Sequence, residues 1–334
     1  MPTFCRHNRF LERCPICSRD LPSASGTGGS AATGTRTRRQ STSPTKRSGS
    51  GLRVRREGRA LEDGYGSGLM PGLRASEDAR RLAEEIAFAA GRLSVLAVEP
   101  PGLYGEARAV ATSDPERAAW ICFLLAYFSP LEGEDPFAGV RLALERLPSV
   151  ESLNEADGEA VLDGVETGPR GSHEPARGIS TLKAYADWLQ RNGGGAQAVA
   201  FAGDESWSPE RRFERLYERL ALPGLSRAAR YDLLVTLGRL GLFELRPDSL
   251  HLGGGRGEAA GEPTILAAKR VFGIGDPILL ERRASTLAQA IEAPLEALDP
   301  ALSSWGSGER ASLGVPAETL DVGLLERTRE VFGL

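Results

Sequence analysis

The stretch Ala267-Ala268-Lys269-Arg270-Val271-Phe272-Gly273-Ile274-Gly275-Asp276-Pro277 decides how the C-terminal part of the chain is expected to fold. Residues 264–270 have a helical pattern, and the Asp276-Pro277 pair is typical of an N-cap followed by the first residue of a new helix. Two glycines separated by one apolar residue tolerate positive φ angles in a tight turn. The stretch therefore predicts two helices joined by a hairpin, and the second helix runs to about residue 290.

Helix starts of the same kind recur along the chain. Asp114 precedes a proline and caps a predicted helix over residues 115–128, which is apolar nearly all round and therefore expected to be buried. The Ser208-Pro209 pair and Ser226 begin two more predicted helices. Strand signals are poor, with at most a short piece over residues 243–252. The body is therefore predicted to be mainly α.

The chain divides by composition into three zones. Residues 1–20 are rich in cysteine, and residues 21–73 are dominated by Ser, Thr, Gly and Arg. The second zone cannot bury enough apolar area to order itself, so we predict a disordered basic linker there. A helical pattern begins at about residue 74, which predicts one large domain over residues 74–334 with its core at about 80–312.

Composition indicates a soluble cytoplasmic protein without a membrane partner. Hydrophobic residues make up 41% of the chain, which is enough for a core, but the longest apolar runs, such as residues 120–126, are too short to span a bilayer. The N-terminus lacks the apolar segment of a secretory signal. Three of the four cysteines lie within the first 17 residues, and Cys122 is expected to be a small buried residue, so no disulfide framework is indicated.

The charge is distributed unevenly. Residues 1–60 carry 13 Arg and Lys against 3 Asp and Glu, a net charge of +10, whereas the remaining residues carry 28 against 42, a net charge of −14. A basic arm of this kind gains affinity for nucleic acid through counterion release, without reading the bases. The alternative is a solvated linker whose arginines only keep it soluble. DNA is therefore the expected macromolecular partner.

The N-terminal zone has the spacing of a zinc site. Cys5, His7, Cys14 and Cys17 provide four ligands within 13 residues, and the Cys14-Pro15-Ile16-Cys17 turn places two sulfurs on one knuckle. Four protein ligands leave no open coordination position, which predicts structural Zn²⁺ that supplies the folding energy of a segment with almost no core. A Cys-x-x-Cys redox pair and chance clustering are the alternatives.

The hairpin at Gly273 and Gly275 resembles the DNA-binding hairpin of helix-hairpin-helix DNA glycosylases, which presents backbone N–H groups to phosphate. In that superfamily a catalytic aspartate follows the hairpin by about two dozen residues, and Asp299 occupies this position. Asp276 departs from the pattern, because a capping carboxylate would occupy the free N–H groups and repel a phosphate. An ordinary capped turn, with Asp299 as a simple N-cap, is the alternative.

Three segments together resemble one bacterial family: residues 4–9 with 14–17, residues 230–234 (Arg-Tyr-Asp-Leu-Leu), and residues 267–276. The family is alpha-glutamyl/putrescinyl thymine pyrophosphorylase, clade 3, and the resemblance covers about residues 80–312 plus the N-terminal knuckle. It implies a glycosylase-like helical domain that hypermodifies bases in DNA. In the implied reaction, an amine of the glutamate or putrescine type displaces pyrophosphate from a pyrophosphorylated 5-hydroxymethyluracil.

This reaction needs a base, a cationic clamp for pyrophosphate and an aromatic surface for a flipped base. Asp299 is the predicted base, and the loop over residues 163–178 offers His173 as a second catalytic candidate. The predicted substrate-binding residues, with Arg227 as a further candidate, are Arg177, Arg230, Tyr231, Lys269 and Arg270. Tyr231 and Trp305 could stack on the base, although aromatic residues at helical spacing are more often core residues. For His173 and the arginines, the simpler interpretation is a surface role.

Three functions remain open at this point. The first is DNA base hypermodification with an amine-containing small molecule as co-substrate. The second is a DNA glycosylase in which Asp299 activates water or stabilises the sugar cation. The third is a non-catalytic, zinc-containing DNA-binding adaptor, which the acidic body favours. The positions of five cationic residues distinguish these functions. If they cluster around one pocket, an enzyme is favoured, and if they are dispersed over the surface, the adaptor is favoured. The five are Arg170, Arg177, Arg230, Lys269 and Arg270.

Overall fold

The predicted helix starts are confirmed by side-chain caps. The Asp114 carboxylate accepts a hydrogen bond from the backbone N–H of the third helical residue (2.9 Å), and Ser208 (3.3 Å), Ser226 (3.1 Å) and Asp276 (3.0 Å) do the same for their helices. Each cap satisfies a backbone donor that would otherwise have no partner in the first turn. These four helices therefore begin where the local sequence places them.

The computed structural model describes residues 60–155, 159–253, 261–316 and 318–334. Within these ranges the chain is mainly α-helical and contains no β-strand, which confirms the predicted fold class at this level. The α-helices there are α1 (Ser76–Val98), α2 (Gly102–Val110), α3 (Pro115–Phe128), α4 (Ala138–Arg146), α5 (Ser180–Gly193), α6 (Gln197–Ala202), α7 (Pro209–Arg219), α8 (Arg227–Arg239), α9 (Pro263–Phe272), α10 (Pro277–Ala290), α11 (Leu298–Ser307) and α12 (Val322–Phe332).

The core is built around α3, whose side chains are buried from Ala118 to Phe128. α3 packs against α2 and α8, α1 packs against α11 and α12, and α11 packs against α9. Stacked aromatic rings join α3 to α5, with the ring centroids of Phe123 and Tyr185 3.7 Å apart. Because α11 lies against both α1 and α9, the residues at its start are deep inside the domain. No helix in the described ranges is long and apolar enough to cross a bilayer.

The linker predicted over residues 21–73 extends too far at its C-terminal end. Met70 and Leu73 are fully buried in the core, and the Gly72 N–H donates to the carbonyl of Val271 (3.0 Å). A Cβ atom at Gly72 would lie 1.9 Å from the Arg270 carbonyl oxygen, so only glycine allows this approach. These apolar residues belong to the domain because they cover the last turn of α9.

The predicted hairpin is present as two capped helices joined by a turn. α9 ends at Phe272, Gly273 follows in the left-handed conformation (φ 64°), and Asp276 caps α10. No strand forms over residues 243–252, and the backbone N–H groups there donate to partners other than a neighbouring strand. The Glu281 carboxylate, for example, accepts from the N–H groups of Leu250 and Leu252. The zinc knuckle predicted over residues 1–20 lies outside the described residues.

Candidate functional site

Asp299, the predicted base, is fully buried in the first turn of α11. Its Oδ1 atom accepts a hydrogen bond from Nη2 of Arg170 (2.5 Å), and its Oδ2 atom accepts one from Nη2 of Arg227. Burial alone would raise the pKa of this carboxyl, but the two guanidinium groups and their hydrogen bonds lower it below its ordinary value. Both carboxylate oxygens are occupied by guanidinium donors, and the lowered pKa makes the group a weak proton acceptor, so this geometry argues against Asp299 as the general base.

Arg170 reaches Asp299 because its loop turns into the domain. The N–H of Gly168 donates to the Phe128 carbonyl (2.8 Å) and the N–H of Ser172 to the Tyr127 carbonyl (2.7 Å), which attaches the loop to the end of α3. The Ser172 hydroxyl also accepts a hydrogen bond from the N–H of Ser226 (2.9 Å) at the start of α8. Arg170 is thereby held between α3, α8 and α11.

The Arg170 guanidinium also binds Asp232 through two hydrogen bonds, from Nε to Oδ2 (2.7 Å) and from Nη2 to Oδ1 (2.9 Å). Burial opposes its charge, but Asp232 and Asp299 together raise its pKa, so the group is a cation. The remaining Nη1 atom is buried and has no hydrogen-bond partner among the residues that the structure describes. An unsatisfied buried donor costs about 1–3 kcal/mol.

Arg227 is the first residue of α8 and links three parts of the chain. Besides Asp299, its guanidinium donates through Nη1 to the Leu250 carbonyl (2.7 Å), and its Nε atom lies 3.4 Å from Oε2 of Glu262. Glu262 in turn caps α9 by accepting from the Ile265 N–H (2.9 Å). We call the set of Arg170, Arg227, Asp232, Glu262 and Asp299 the buried charge cluster.

Aromatic residues and a further arginine lie beside the buried charge cluster. The Arg230 guanidinium lies over the Tyr217 ring, 4.5 Å from its centroid. Burial raises the pKa of Tyr217 to about 12, so its phenol remains protonated at neutral pH. The Tyr217 hydroxyl is buried without a hydrogen-bond partner in the described part of the chain. Arg227 and Arg230, one helical turn apart, thus border a region with an unused buried donor.

His251 lies in the same region, although no sequence pattern indicates it as a site residue. Its ring stacks on Tyr217, with centroids 3.6 Å apart and planes within 9°. Its φ angle is +55°, an uncommon conformation for a residue with a side chain. Burial, followed by the charges of Arg227 and Arg230, lowers its pKa to about 4. The only signal in the sequence was the rarity of histidine, which occurs three times in the chain.

His173 and Arg177, in the loop predicted to border the site, do not join the buried charge cluster. The Nδ1 atom of His173 lies 3.3 Å from the Tyr127 hydroxyl, its ring packs against Phe128 and burial lowers its pKa. Arg177 is exposed and pairs with Glu174 (2.7 Å) three residues before it. His173 is therefore buried, which differs from the simpler interpretation of a surface role. Arg177 is exposed, as that interpretation expects.

Arg270 connects helices instead of lining a pocket with Arg230. Its guanidinium lies 4.5 Å from the centroid of a Trp305 ring, and Nη2 lies 3.3 Å from Oδ2 of Asp78 on α1. The indole N–H of Trp305 donates to the Asp78 carbonyl (2.9 Å). The same helix, α9, carries Lys269, which is half-buried. The predicted cationic residues are thus dispersed: Arg177 is at the surface, Arg230 is beside the buried charge cluster, and Lys269 and Arg270 are on α9.

The two aromatic residues proposed as stacking surfaces are core residues in the structure. Tyr231 is fully buried and donates through its hydroxyl to the Ser249 carbonyl (3.3 Å), and Trp305 is 1% exposed. Both rings are covered in this conformation, which fits the alternative that they are core residues, and base stacking stays a prediction. Tyr231 on α8 and Trp305 on α11 face the core because each of these helices packs against more than one other helix.

The hairpin glycines have different surroundings. Gly273 lies against Gly72, so its side of the turn is covered, whereas Gly275 has open space around it. The Asp276 carboxylate accepts from the Leu279 N–H, which confirms the capping role and leaves one N–H fewer for a phosphate. DNA binding by this hairpin stays a prediction.

One cavity of about 600 Å³ lies away from the buried charge cluster, between α7, the end of α8 and the loop that follows. Its lining includes Arg239 and Glu296, which pair with each other, and the apolar residues Leu242 and Phe243. None of the predicted site residues lines it. In the described ranges, no group of three or more His, Cys, Asp and Glu side chains is placed to hold a metal ion.

Residues 171–311 match the family model of alpha-glutamyl/putrescinyl thymine pyrophosphorylase, clade 3, which confirms the resemblance over this part of the chain. The matched segment contains all of the buried charge cluster except Arg170, and it contains Tyr217, Arg230 and His251. A search of curated proteins and a search of solved structures found no match, so the likeness to helix-hairpin-helix glycosylases stays a prediction. The family name supports a role in thymine hypermodification.

Proposed function

We propose, from the match of residues 171–311 to the thymine pyrophosphorylase family, that this protein hypermodifies thymine-derived bases in DNA at a site beside the buried charge cluster. The proposed reaction is displacement of pyrophosphate from a pyrophosphorylated 5-hydroxymethyluracil by an amine. The observation that carries the placement is Arg230 in the first turn of α8, next to the buried and unpaired hydroxyl of Tyr217 and one turn after Arg227, which Asp299 holds in place.

The departing pyrophosphate needs cationic groups and hydrogen-bond donors held in place. Arginine suits this role because its planar guanidinium binds phosphate oxygens through two parallel hydrogen bonds. The N-terminal turn of α8 adds the positive end of a helix dipole. The Tyr217 hydroxyl would supply a further donor. Supported in this way, pyrophosphate leaves with the electron pair of the broken C–O bond.

In this proposal Asp299 is a positioning residue and not the base. It binds Arg170 and Arg227 simultaneously, which fixes the two guanidinium groups relative to α8 and α11. The target base would leave the DNA stack to reach the site, at an unstacking cost of a few kcal/mol. The basic arm before residue 60 would contact the DNA backbone without sequence preference.

The test is a direct assay of the purified protein. DNA that contains pyrophosphorylated 5-hydroxymethyluracil is incubated with putrescine or glutamate, and the nucleosides are analysed by mass spectrometry. We expect an amine adduct and released pyrophosphate, and at least a 10²-fold lower rate for Arg230→Met, in line with loss of a transition-state charge contact. Arg246→Met is the matched control, because this exposed arginine pairs with Glu210 elsewhere. Absence of an adduct with either amine would reject the proposal.

A non-catalytic DNA-binding adaptor is the second candidate, and one observation favours it. The cationic residues predicted for one pocket are dispersed, and Arg170 is neutralised by Asp232 and Asp299. The test is DNA binding across a salt series for the full chain and for a chain that begins at residue 60. Binding that disappears entirely with residues 1–59, together with an inactive full-length protein, would support the adaptor.

A further inference from the structure

We infer that His251, oriented by Glu214, accepts the proton of the incoming amine. This inference rests on the proposed function and adds the proton acceptor that Asp299 cannot provide. Four observations support it: the fixed backbone of His251, the contacts of its ring, the position of its Nε2 atom and the charges that face it.

The backbone around His251 is held on both sides in a conformation that side chains rarely adopt. The Glu281 carboxylate accepts hydrogen bonds from the N–H groups of Leu250 (2.8 Å) and Leu252, the two neighbours of His251. The N–H of His251 donates to Oγ of Ser249 (3.1 Å), and the Leu250 carbonyl accepts from Arg227 (2.7 Å). Strained residues fixed this thoroughly are concentrated at functional sites.

The ring of His251 has a defined orientation. It lies parallel to the Tyr217 ring, and Tyr231 approaches it edge-on at 6.3 Å between centroids. The Nε2 atom is buried, makes no hydrogen bond with the described residues, and lies 3.4 Å from Oε2 of Glu214. A carboxylate in this position favours the tautomer with the proton on Nε2, which leaves the lone pair of Nδ1 as the acceptor.

The charges that face His251 keep it neutral until substrate binds. Arg227 and Arg230 on α8 disfavour the imidazolium, whereas Asp299 on α11 and Glu214 on α7 favour it. Burial and the two arginines prevail, so the imidazole is unprotonated and its basicity is low before substrate binds. Pyrophosphate bound at Arg230 would offset part of the charge that lowers this basicity. The basicity of His251 would then rise when the leaving group is in place.

The proposed step balances in atoms and charge. The ammonium group of the amine gives one proton to Nδ1 of His251, and its nitrogen lone pair forms a bond to the methylene carbon on C5 of the uracil. The C–O bond to pyrophosphate breaks at the same time, and pyrophosphate leaves with that electron pair. The product is a secondary ammonium on the base, and the imidazolium returns its proton to water.

The experiment compares the rates of wild type, His251→Asn, His251→Phe and Glu214→Gln between pH 6 and pH 10 on the pyrophosphorylated DNA with putrescine. Glu244→Gln is the matched control for Glu214→Gln, because Glu244 is an exposed carboxylate that pairs with Arg212. Thermal unfolding checks that each variant is folded. Two substitutions of His251 are used so that the test can still be made if one of the variants does not fold.

We expect the His251 variants to be at least about 10²-fold slower at pH 7, which is the usual contribution of a general base. The deficit should shrink as the pH approaches about 10, where the free amine needs no base. In the wild type, addition of inorganic pyrophosphate should raise the pKa of His251 and leave the pKa of His173 unchanged. NMR titration measures both values. A deficit that is equal at every pH, or no deficit, overturns the role of His251 alone. A wild type that forms no adduct overturns the proposed function itself and this inference with it.

Discussion

Asp299 and Arg227 form an ion pair from which water is almost completely excluded, with side chains that are 0% and 1% exposed. The second oxygen of the same carboxylate binds Arg170, so one acidic group holds two cations from distant parts of the chain. Removing one member of a buried pair leaves an uncompensated charge, which is more costly than loss of a surface pair.

Asp299→Asn should lower the free energy of unfolding by about 3–5 kcal/mol, because it removes the charge but preserves the size of the side chain. Asp135→Asn is the matched control, since Asp135 is half-exposed and pairs with Arg141 at the surface. The control should change stability by less than about 1 kcal/mol. Urea unfolding followed by circular dichroism measures both values. Equal effects of the two substitutions would show that the buried charge cluster contributes little to stability.

The packing of Gly72 against the end of α9 predicts a difference between two glycines. Gly72→Ala would place a Cβ atom 1.9 Å from a backbone oxygen, whereas Gly66 has open space around it. We expect Gly72→Ala to cost about 1–3 kcal/mol, and Gly66→Ala to stay within about 0.5 kcal/mol of the wild type. Thermal unfolding measures the difference. Similar melting temperatures for the two variants would mean that Gly72 does not pack on α9.

Stability should fall as the pH is lowered from about 6.5 to about 4, in part because of His251. The pKa of its imidazole is lowered from 6.5 to about 4 in the folded protein, first by burial and then by Arg227 and Arg230. The unfolded chain therefore binds a proton in this window that the folded chain does not, so unfolding is favoured as the pH falls. The contribution is at most about 3 kcal/mol. His251→Gln should flatten the dependence of the unfolding free energy on pH, and a slope equal to that of the wild type would contradict the assignment.

The four N-terminal ligands lie outside the described residues, so structural zinc stays a prediction from their spacing. We expect one zinc ion per chain by elemental analysis, lost in Cys14→Ser/Cys17→Ser. Cys122→Ala is the control and should keep the metal, because Cys122 is buried in the core and burial raises the pKa of its thiol to about 12. Zinc retained by the double variant would exclude this ligand set.

The helices and several of their ends could be predicted because the signals are local. Asp114, Ser208, Ser226 and Asp276 each cap a helix through an N–H three residues ahead, which a short window of sequence contains. The nearly continuous apolar pattern of α3 likewise indicated burial without knowledge of its neighbours. The resemblance to the family could be stated for a similar reason, because it rests on short segments of sequence.

The site could be predicted only in part. Asp299 was singled out from its distance to the hairpin, but its two partners are 129 and 72 residues away in the sequence. Arg170 is one of five cationic residues whose clustering the sequence cannot decide, and no local signal indicates its pairing with Asp232. His251 was missed because the stretch around it looked like a weak strand, and its strained backbone depends on Glu281, 29–31 residues later.

The sequence by itself therefore determined the helical class, the helix starts and the candidate zinc ligands, because each depends on neighbours within a few residues. Its resemblance to the family is matched over residues 171–311. Only the tertiary structure decided which charges are paired, which aromatic rings are buried and which histidine faces the arginines of α8. Those outcomes depend on how α3, α8, α9 and α11 pack around one another. The electrostatic energy of a buried group is set by what lies within a few ångströms of it, irrespective of separation along the chain.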